Sequence, residues 1–226
     1  MLALLYDVHG NLPALDAVLA DAEAAGAERF LLGGDYALFG AWPAETVTRL
    51  RGLDARWIRG NVDRWTASPG DAPEAAGPAI ERCRELLGDA LVGELAALPE
   101  SLADGDVLYC HASPASDVKS FLPEPAAVDE ALMAGAAPRR LVFGHTHLGF
   151  RREGPGGVEL VNPGSVGMPL DGDQRAAYAL VDGQGGLEHR RVAYDHGASA
   201  RAAREVLGSA GETPARRIEQ ARFDVD

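Results

Sequence analysis

The sequence predicts an α/β fold that is parallel in its first half and rich in hairpins in its second. Short apolar runs recur along the chain and end in turn residues, the pattern of buried strands. Apolar residues at helical spacing lie between the early runs. After about residue 148 strand-like runs follow one another across Gly-rich turns with no helix between them. A hydrophobic content of 46% over 226 residues is enough for a sizeable core.

The first apolar run covers residues 2–6 and is closed by Asp7. Leu12, Leu15, Val18 and Leu19 predict a helix over 12–25, with Asn11 as its cap, Pro13 in the first turn and Gly26 at the far end. A strand over 29–32, a helix near 43–50 and a strand over 56–58 follow. This β-α-β-α-β opening implies parallel strands with right-handed crossovers. Residues 65–77, rich in Pro, Gly, Ala and Asp, read as an exposed loop over the site. The next helix, 79–98, breaks at Gly88; a strand over 107–110, a helix over 126–134 and a strand over 141–143 follow. Runs at 148–152, 157–161, 176–181 and 187–194, joined by turns such as Gly154-Pro155-Gly156-Gly157, predict antiparallel hairpins. A helix over 199–207 precedes a polar tail of weak helical signal. With no repeat or linker to divide it, the chain reads as one domain, 1–226, with a C-terminal helical tail from about 197.

The net charge of −13 argues against a protein held to nucleic acid or to an anionic membrane by a general basic field. Cys83 and Cys110 form no disulfide framework or zinc-finger spacing and read as small buried residues. The apolar start has no basic lead, and no stretch reaches the roughly 18 apolar residues of a membrane span. The expected compartment is the cytoplasm.

Asp7, His9, Asp35, Asn61, His111, His145 and His147 fall at or just after the ends of apolar runs. Open α/β sheets bind ligands outside the carboxyl ends of their strands, so one edge of one sheet is expected to collect two carboxylates, four imidazoles and an amide. Residues i and i+2 of an extended chain face the same way, which pairs Asp7 with His9 and His145 with His147. Glycines before Asp35, Asn61 and His145 allow sharp turns and close approach. Oxygen and imidazole ligands without thiolate suit manganese foremost, with iron, cobalt, nickel or zinc as alternatives. Seven ligands exceed the needs of one transition metal with an open position. They suit two divalent ions sharing a carboxylate, an arrangement that serves in-line displacement at phosphorus.

The ordered set Asp7-Val8-His9-Gly10-Asn11, Gly34-Asp35, Gly60-Asn61-Val62-Asp63, His111 and Gly144-His145-Thr146-His147 resembles the calcineurin-like metallophosphoesterase superfamily. The run Asn162-Pro163-Gly164-Ser165-Val166-Gly167 further resembles its small bacterial and archaeal phosphodiesterase branch, and the match extends from Met1 to about Leu207. The resemblance implies a four-layer α/β/β/α sandwich of two mixed β-sheets flanked by helices. It implies that Asp7, His9 and His147 hold one metal, that Asn61, His111 and His145 hold a second, and that Asp35 bridges them. A metal-bridging hydroxide is then the expected nucleophile. The implied activity is a dinuclear phosphoesterase acting on phosphodiesters ahead of monoesters, with a small phosphate ester, a nucleotide among the candidates, as substrate. Alternatives within the resemblance are a phosphoprotein or dinucleoside-polyphosphate phosphatase, and a non-catalytic interaction scaffold such as the related retromer subunit. Two positions depart from the family. Val62 stands where many members carry a substrate-contacting His, and Leu170 stands where branch members often carry an Arg.

Asn11, Arg64 and Trp65 are candidate substrate contacts, Arg64 for a phosphate and Trp65 for a stacked ring. Asp63 reads as a helix N-cap, and Lys119 and Phe121 as part of a solvated loop. His189 and His196 fall outside the motifs and are expected to be exposed. The charges over 201–217 read as a solvated helical face, with a homo-oligomer contact as the alternative.

Overall fold

The computed structural model describes residues 1–225. Two mixed five-stranded sheets lie face to face between helical layers, the four-layer sandwich that the motifs imply. The first sheet has the order β10-β9-β1-β2-β3, built from β1 (Leu2–Leu5), β2 (Arg29–Leu32), β3 (Ala55–Trp57), β9 (Ala176–Val181) and β10 (Leu187–Val192). β1, β2 and β3 are parallel, and Leu2 pairs with Arg29. The second sheet runs β4-β5-β6-β8-β7, from β4 (Ser101–Asp104), β5 (Val107–Cys110), β6 (Arg140–Val142), β7 (Phe150–Glu153) and β8 (Glu159–Asn162). Here β5, β6 and β8 are parallel, and the antiparallel β4 and β7 form the edges.

Side-chain alternation with a period of two places each layer. Ala3 and Leu5 face the helices α1 (Leu12–Ala24), α2 (Pro43–Arg51) and α4 (Gly77–Ala96), whereas Leu4 and Tyr6 face the second sheet. Leu4, Leu31 and Ile58 meet Tyr109, Val142 and Val161 between the sheets. On the outer face of the second sheet, Leu141 and Phe143 pack with Phe121, Leu132 and Met133. That outer layer is thin, because the only helix in it among the described residues is the one-turn α5 (Asp129–Leu132), shorter than the expected 126–134.

Several expectations need correction. The stretch expected as a loop from residue 65 begins inside a helix, α3 (Asn61–Ala67), whose start is held by the Asp63 carboxylate accepting the Gly60 N–H at 2.8 Å. Asp63 therefore caps from the third helical position and is not itself the N-cap. Phe121 is fully buried, because the segment after His111 folds back and sets its ring 5.1 Å from Phe143. The edge strand β4 has no apolar alternation to announce it; its two-residue turn to β5 uses Gly105 at φ 58°. The polar tail forms a second C-terminal helix, α7 (Glu212–Gln220), which packs Ala215 and Ile218 against Ala200 and Ala203 of α6 (His196–Leu207). The expected break at Gly88 is present, with φ 71° inside α4. No helix among the described residues is long and apolar enough to cross a membrane.

Candidate metal centre

Seven side chains converge where the carboxyl ends of both sheets meet. Asp7 and His9 follow β1, Asp35 follows β2, and Asn61 opens α3 after β3; His111 follows β5, and His145 and His147 follow β6. The expectation of a single sheet edge is therefore corrected, because facing sheets in a sandwich bring two carboxyl edges to one cleft.

The local backbone is unusual in the same places. Asp7, His9, Asp35, His145 and His147 have φ values of 55°, 49°, 60°, 68° and 59°. Left-handed conformations are uncommon outside glycine and cost about 1–3 kcal/mol each, so their concentration here marks a functional site. The chain at Asp7–His9 and His145–His147 is thus not extended, as the spacing had suggested, although each pair still converges. Gly34 has φ 95°, and a Cβ on Gly60 would fall on Asp35 Oδ1. Both glycines are needed for the loops to close on one another.

Asp7, His9 and His147 form one group able to hold a metal ion, and Asp35, His111 and His145 form a second; within each group the ligand atoms lie within 4.8 Å of one another. Asn61 joins the second group, its Oδ1 lying 2.9 Å from both His111 Nε2 and His145 Nδ1. Asp35 spans the two groups, with Oδ2 3.8 Å from His9 Nε2 and Oδ1 3.4 Å from His111 Nε2. Asp7 Oδ1 lies 3.6 Å from His147 Nε2 and 4.0 Å from His111 Nε2.

The outer nitrogens of three rings donate to main-chain carbonyls: His9 Nδ1 to Leu38 at 2.9 Å, His147 Nδ1 to Met168 at 2.6 Å and His111 Nδ1 to Gly33 at 2.9 Å. This fixes the tautomer in which Nε2 of each neutral ring carries a lone pair toward the centre. His9 Nε2 and His147 Nε2 then face each other at 3.1 Å as two lone pairs. Asp7 Oδ1 is buried with no hydrogen-bond partner among the described residues. Buried acceptors turned on one another without a donor are costly, and a cation between them removes the cost. The residues fit a pair of metal ions.

Electrostatics agree for three of the four imidazoles. Burial drives His9, His147 and His145 toward the neutral form, His145 down to about 4. Burial alone would raise the Asp35 carboxyl, but the surrounding imidazoles, His111 foremost, hold it well below the usual carboxylate range. Burial works against protonation of His111 too, yet Asp35 and Asp7 push it up to about 10. Burial raises the Asp7 carboxyl, and the negative charge of Asp35 adds to the effect.

The loop after β8 braces the centre. Asn162 Nδ2 donates to the Gly144 carbonyl and to Thr146 Oγ1, both at 3.0 Å, and Ser165 Oγ donates to the Asp7 carbonyl at 2.7 Å. The Asn-Pro-Gly-Ser motif thus ties the Asp7 turn to the His145–His147 turn. Ser165 had no signal of its own beyond membership of that run.

The three candidate substrate contacts are placed differently from one another. Asn11 is buried and its amide is engaged internally: Oδ1 accepts from the Ala14 N–H and from Ser199 Oγ, and Nδ2 donates to the Gly167 carbonyl and to Tyr194 Oη. Trp65 packs against the main core. Arg64 lies on a cleft of about 410 Å³ together with His111, Ser113, Ser116 and Asp117, and makes a two-pronged ion pair with Asp117 at 2.7 and 2.9 Å. A depression of about 460 Å³ between α5 and the turn at Pro155–Gly157 contains no candidate ligand, so its size carries no functional weight. His189 is exposed as expected, and His196 is half-buried.

An archaeal relative, an uncharacterized protein of Methanocaldococcus jannaschii, is 30% identical over 219 residues, spanning 86% of this chain and 88% of its own. The crystal structure of a metallophosphoesterase from Sphaerobacter thermophilus matches with a TM-score of 0.81 and 26% identity, covering 97% of this chain and 98% of that one. A hypothetical protein from Pyrococcus horikoshii OT3 shares the fold with a TM-score of 0.81 at 23% identity, over 94% of this chain and 96% of its own. The model of the calcineurin-like phosphoesterase superfamily domain matches residues 1–186, which include all seven converging side chains. The chain belongs to that superfamily.

Proposed function

We propose that the protein is a dinuclear metal-dependent phosphodiesterase. Asp7, His9 and His147 would hold one divalent ion, Asn61, His111 and His145 the other, with Asp35 shared; manganese suits this donor set best. The observation that carries the reading is Asp35, whose two oxygens each face an imidazole of a different group. Two divalent ions at such a centre supply Lewis acidity and an activated water for in-line displacement at phosphorus.

The chain's own residues do the remaining work. Carbonyls of Leu38, Met168 and Gly33 orient three imidazoles. His145 N donates to Asp7 Oδ2 at 3.0 Å and Val62 N donates to Asp35 Oδ1 at 3.1 Å, so each carboxylate is held at one oxygen while the other stays available. Val62 is 2% exposed and can give no proton. Leaving groups that depart as weak bases, such as aryloxides or phosphoanhydride anions, therefore suit the site.

Elemental analysis of manganese-loaded protein and hydrolysis of bis(p-nitrophenyl) phosphate with and without chelator test the reading. Close to two ions per chain and chelator-sensitive turnover are expected. Two bound ions with no hydrolysis of any diester or monoester would leave a metal-bearing scaffold instead.

A further inference from the structure

The family match ends at residue 186, yet elements after it pack back on the candidate centre. Asp195 starts α6 by accepting the Ala198 N–H at 2.8 Å, and the next residue, Ser199, is buried. Ser199 Oγ donates to Asn11 Oδ1 at 2.9 Å, and Tyr194 Oη accepts from Asn11 Nδ2 at 3.2 Å. The same amide accepts the Ala14 N–H and donates to the Gly167 carbonyl at 2.7 Å. A carboxamide has two donor hydrogens and an oxygen with two lone pairs, so all of its positions are used and none is left for a substrate.

Gly167 carries the connection to the metal ligands. Its N–H donates to the Asp7 carbonyl at 3.0 Å, while its own carbonyl is held by Asn11. The two loops press so closely that a Cβ on Gly167 would lie 1.9 Å from the Val8 carbonyl oxygen. Met168 follows: its N–H is taken by Ser165 Oγ at 2.8 Å, and its carbonyl accepts His147 Nδ1 at 2.6 Å. Ala200 and Ala203 of α6, with Ala215 and Ile218 of α7, back this turn by packing with Met168. The run of contacts ends on Asp7 and His147, both in the first metal group. In the second group, His111 is oriented by the Gly33 carbonyl and Asp35 by the Val62 N–H, neither of them beyond residue 186.

We propose that Ser199 and Tyr194 are positioning residues: acting through Asn11 and Gly167, they hold Asp7 and His147 in register and so set the affinity of the first metal position without changing the second. The assignment rests on the two-metal reading of the centre. Its physical reason is rigidity. A ligand on a turn that is already fixed loses little freedom when an ion arrives, whereas one on a loosened turn must be ordered by the ion itself.

Manganese titration followed by electron paramagnetic resonance tests this without turnover, because free ions, bound ions and exchange-coupled pairs give different spectra. Ser199→Ala removes one hydroxyl from a helix that alanine suits, and Tyr194→Phe removes another with the ring kept. One such hydrogen bond corresponds to about two- to tenfold in affinity. Ser199→Ala alone should weaken one manganese step by that factor and leave the other. The double variant should weaken the same step by about tenfold or more, and the spectrum of the coupled pair should appear only at correspondingly higher manganese. In a His147→Ala background, where the first position is already broken, the two substitutions should have no further effect; in Asn61→Ala the full effect should remain. Tyr178→Phe, which removes a hydroxyl contact to Asp21 away from the centre, controls for general loss of stability and should shift neither step. Equal weakening of both steps, no weakening of either, an undiminished effect in His147→Ala, or the same effect from Tyr178→Phe would each overturn the assignment. A wild-type protein that loads a single ion would remove the two-metal reading. The positioning role would then stand if the double variant weakens that ion and Tyr178→Phe does not, and fall otherwise.

Discussion

Asp63 accepts the main-chain N–H of Asp35 at 2.9 Å on the same oxygen that accepts Gly60 N–H, while its other oxygen takes the Tyr36 N–H at 3.2 Å. One buried carboxylate therefore links the Gly34-Asp35 turn to the start of α3, and with it Asp35 to Asn61. Its oxygens are all engaged by main-chain N–H groups, and it sets the backbone that aims two members of the second group, Asp35 and Asn61.

Removing that link should cost stability and metal together. Asp63→Ala leaves three buried N–H groups without an acceptor, a loss of about 3 kcal/mol or more. Chemical denaturation should show this, and metal titration should show weaker loading of both positions. Wild-type stability in Asp63→Ala would mean that the loops hold their geometry without it.

Asp35→Asn should be the most damaging single change at the centre. The carboxylate faces both groups, so neutralising it weakens both, whereas His9→Ala removes a donor from one. Loss of an outer supporting group typically costs about 10–100-fold, and a shared inner ligand should exceed that. Turnover and bound metal measured on the same preparation decide the point. Near-normal turnover with two ions in Asp35→Asn would rule out the bridge.

Activity should fall steeply as the leaving group becomes more basic. A positioned general acid contributes about 10²–10⁴-fold, most for poor leaving groups, and Val62 supplies none. A series of aryl esters should give a strong dependence of kcat/KM on leaving-group pKa. A flat series would reveal a proton donor elsewhere in the cleft. Val62→His is not expected to repair the slope, because Val62 packs in the main core and an imidazole there would be buried; its first effect should be a lower melting temperature.

Away from the centre, Asp21 accepts two hydrogen bonds from Arg190, at 2.8 and 3.1 Å, and one from Tyr178 Oη at 2.5 Å, joining α1 to β9 and β10. The Arg190 hydrogen bonds hold its carboxyl below the ordinary value. A depressed carboxyl contributes stability above its unfolded pKa, about 4, and loses it as pH falls through the folded value. Asp21→Asn should therefore lower the melting temperature at pH 7, and the gap to wild type should close below about pH 4. A gap that stays constant into acid would show that the contribution is packing and not charge.

The sequence by itself determined where the chemistry would lie. Asp7, Asp35, Asn61, His111 and His145 each follow a short apolar run, and strand ends and turn glycines are local signals, written within a few residues. The alternation that places Leu4 between the sheets and Leu5 under the helices is equally local. What only the tertiary structure decided depends on neighbours far along the chain. Two sheets, not one, contribute the ligands; Phe121 is buried because a segment folds back on Phe143; α3 starts where Asp63 reaches Gly60. The internal engagement of Asn11 by Ser199 and Tyr194 arises only when the C-terminal helices dock on the first turn of the chain. Composition and spacing report which side chain is present, whereas its partners are fixed by packing across nearly two hundred residues of separation.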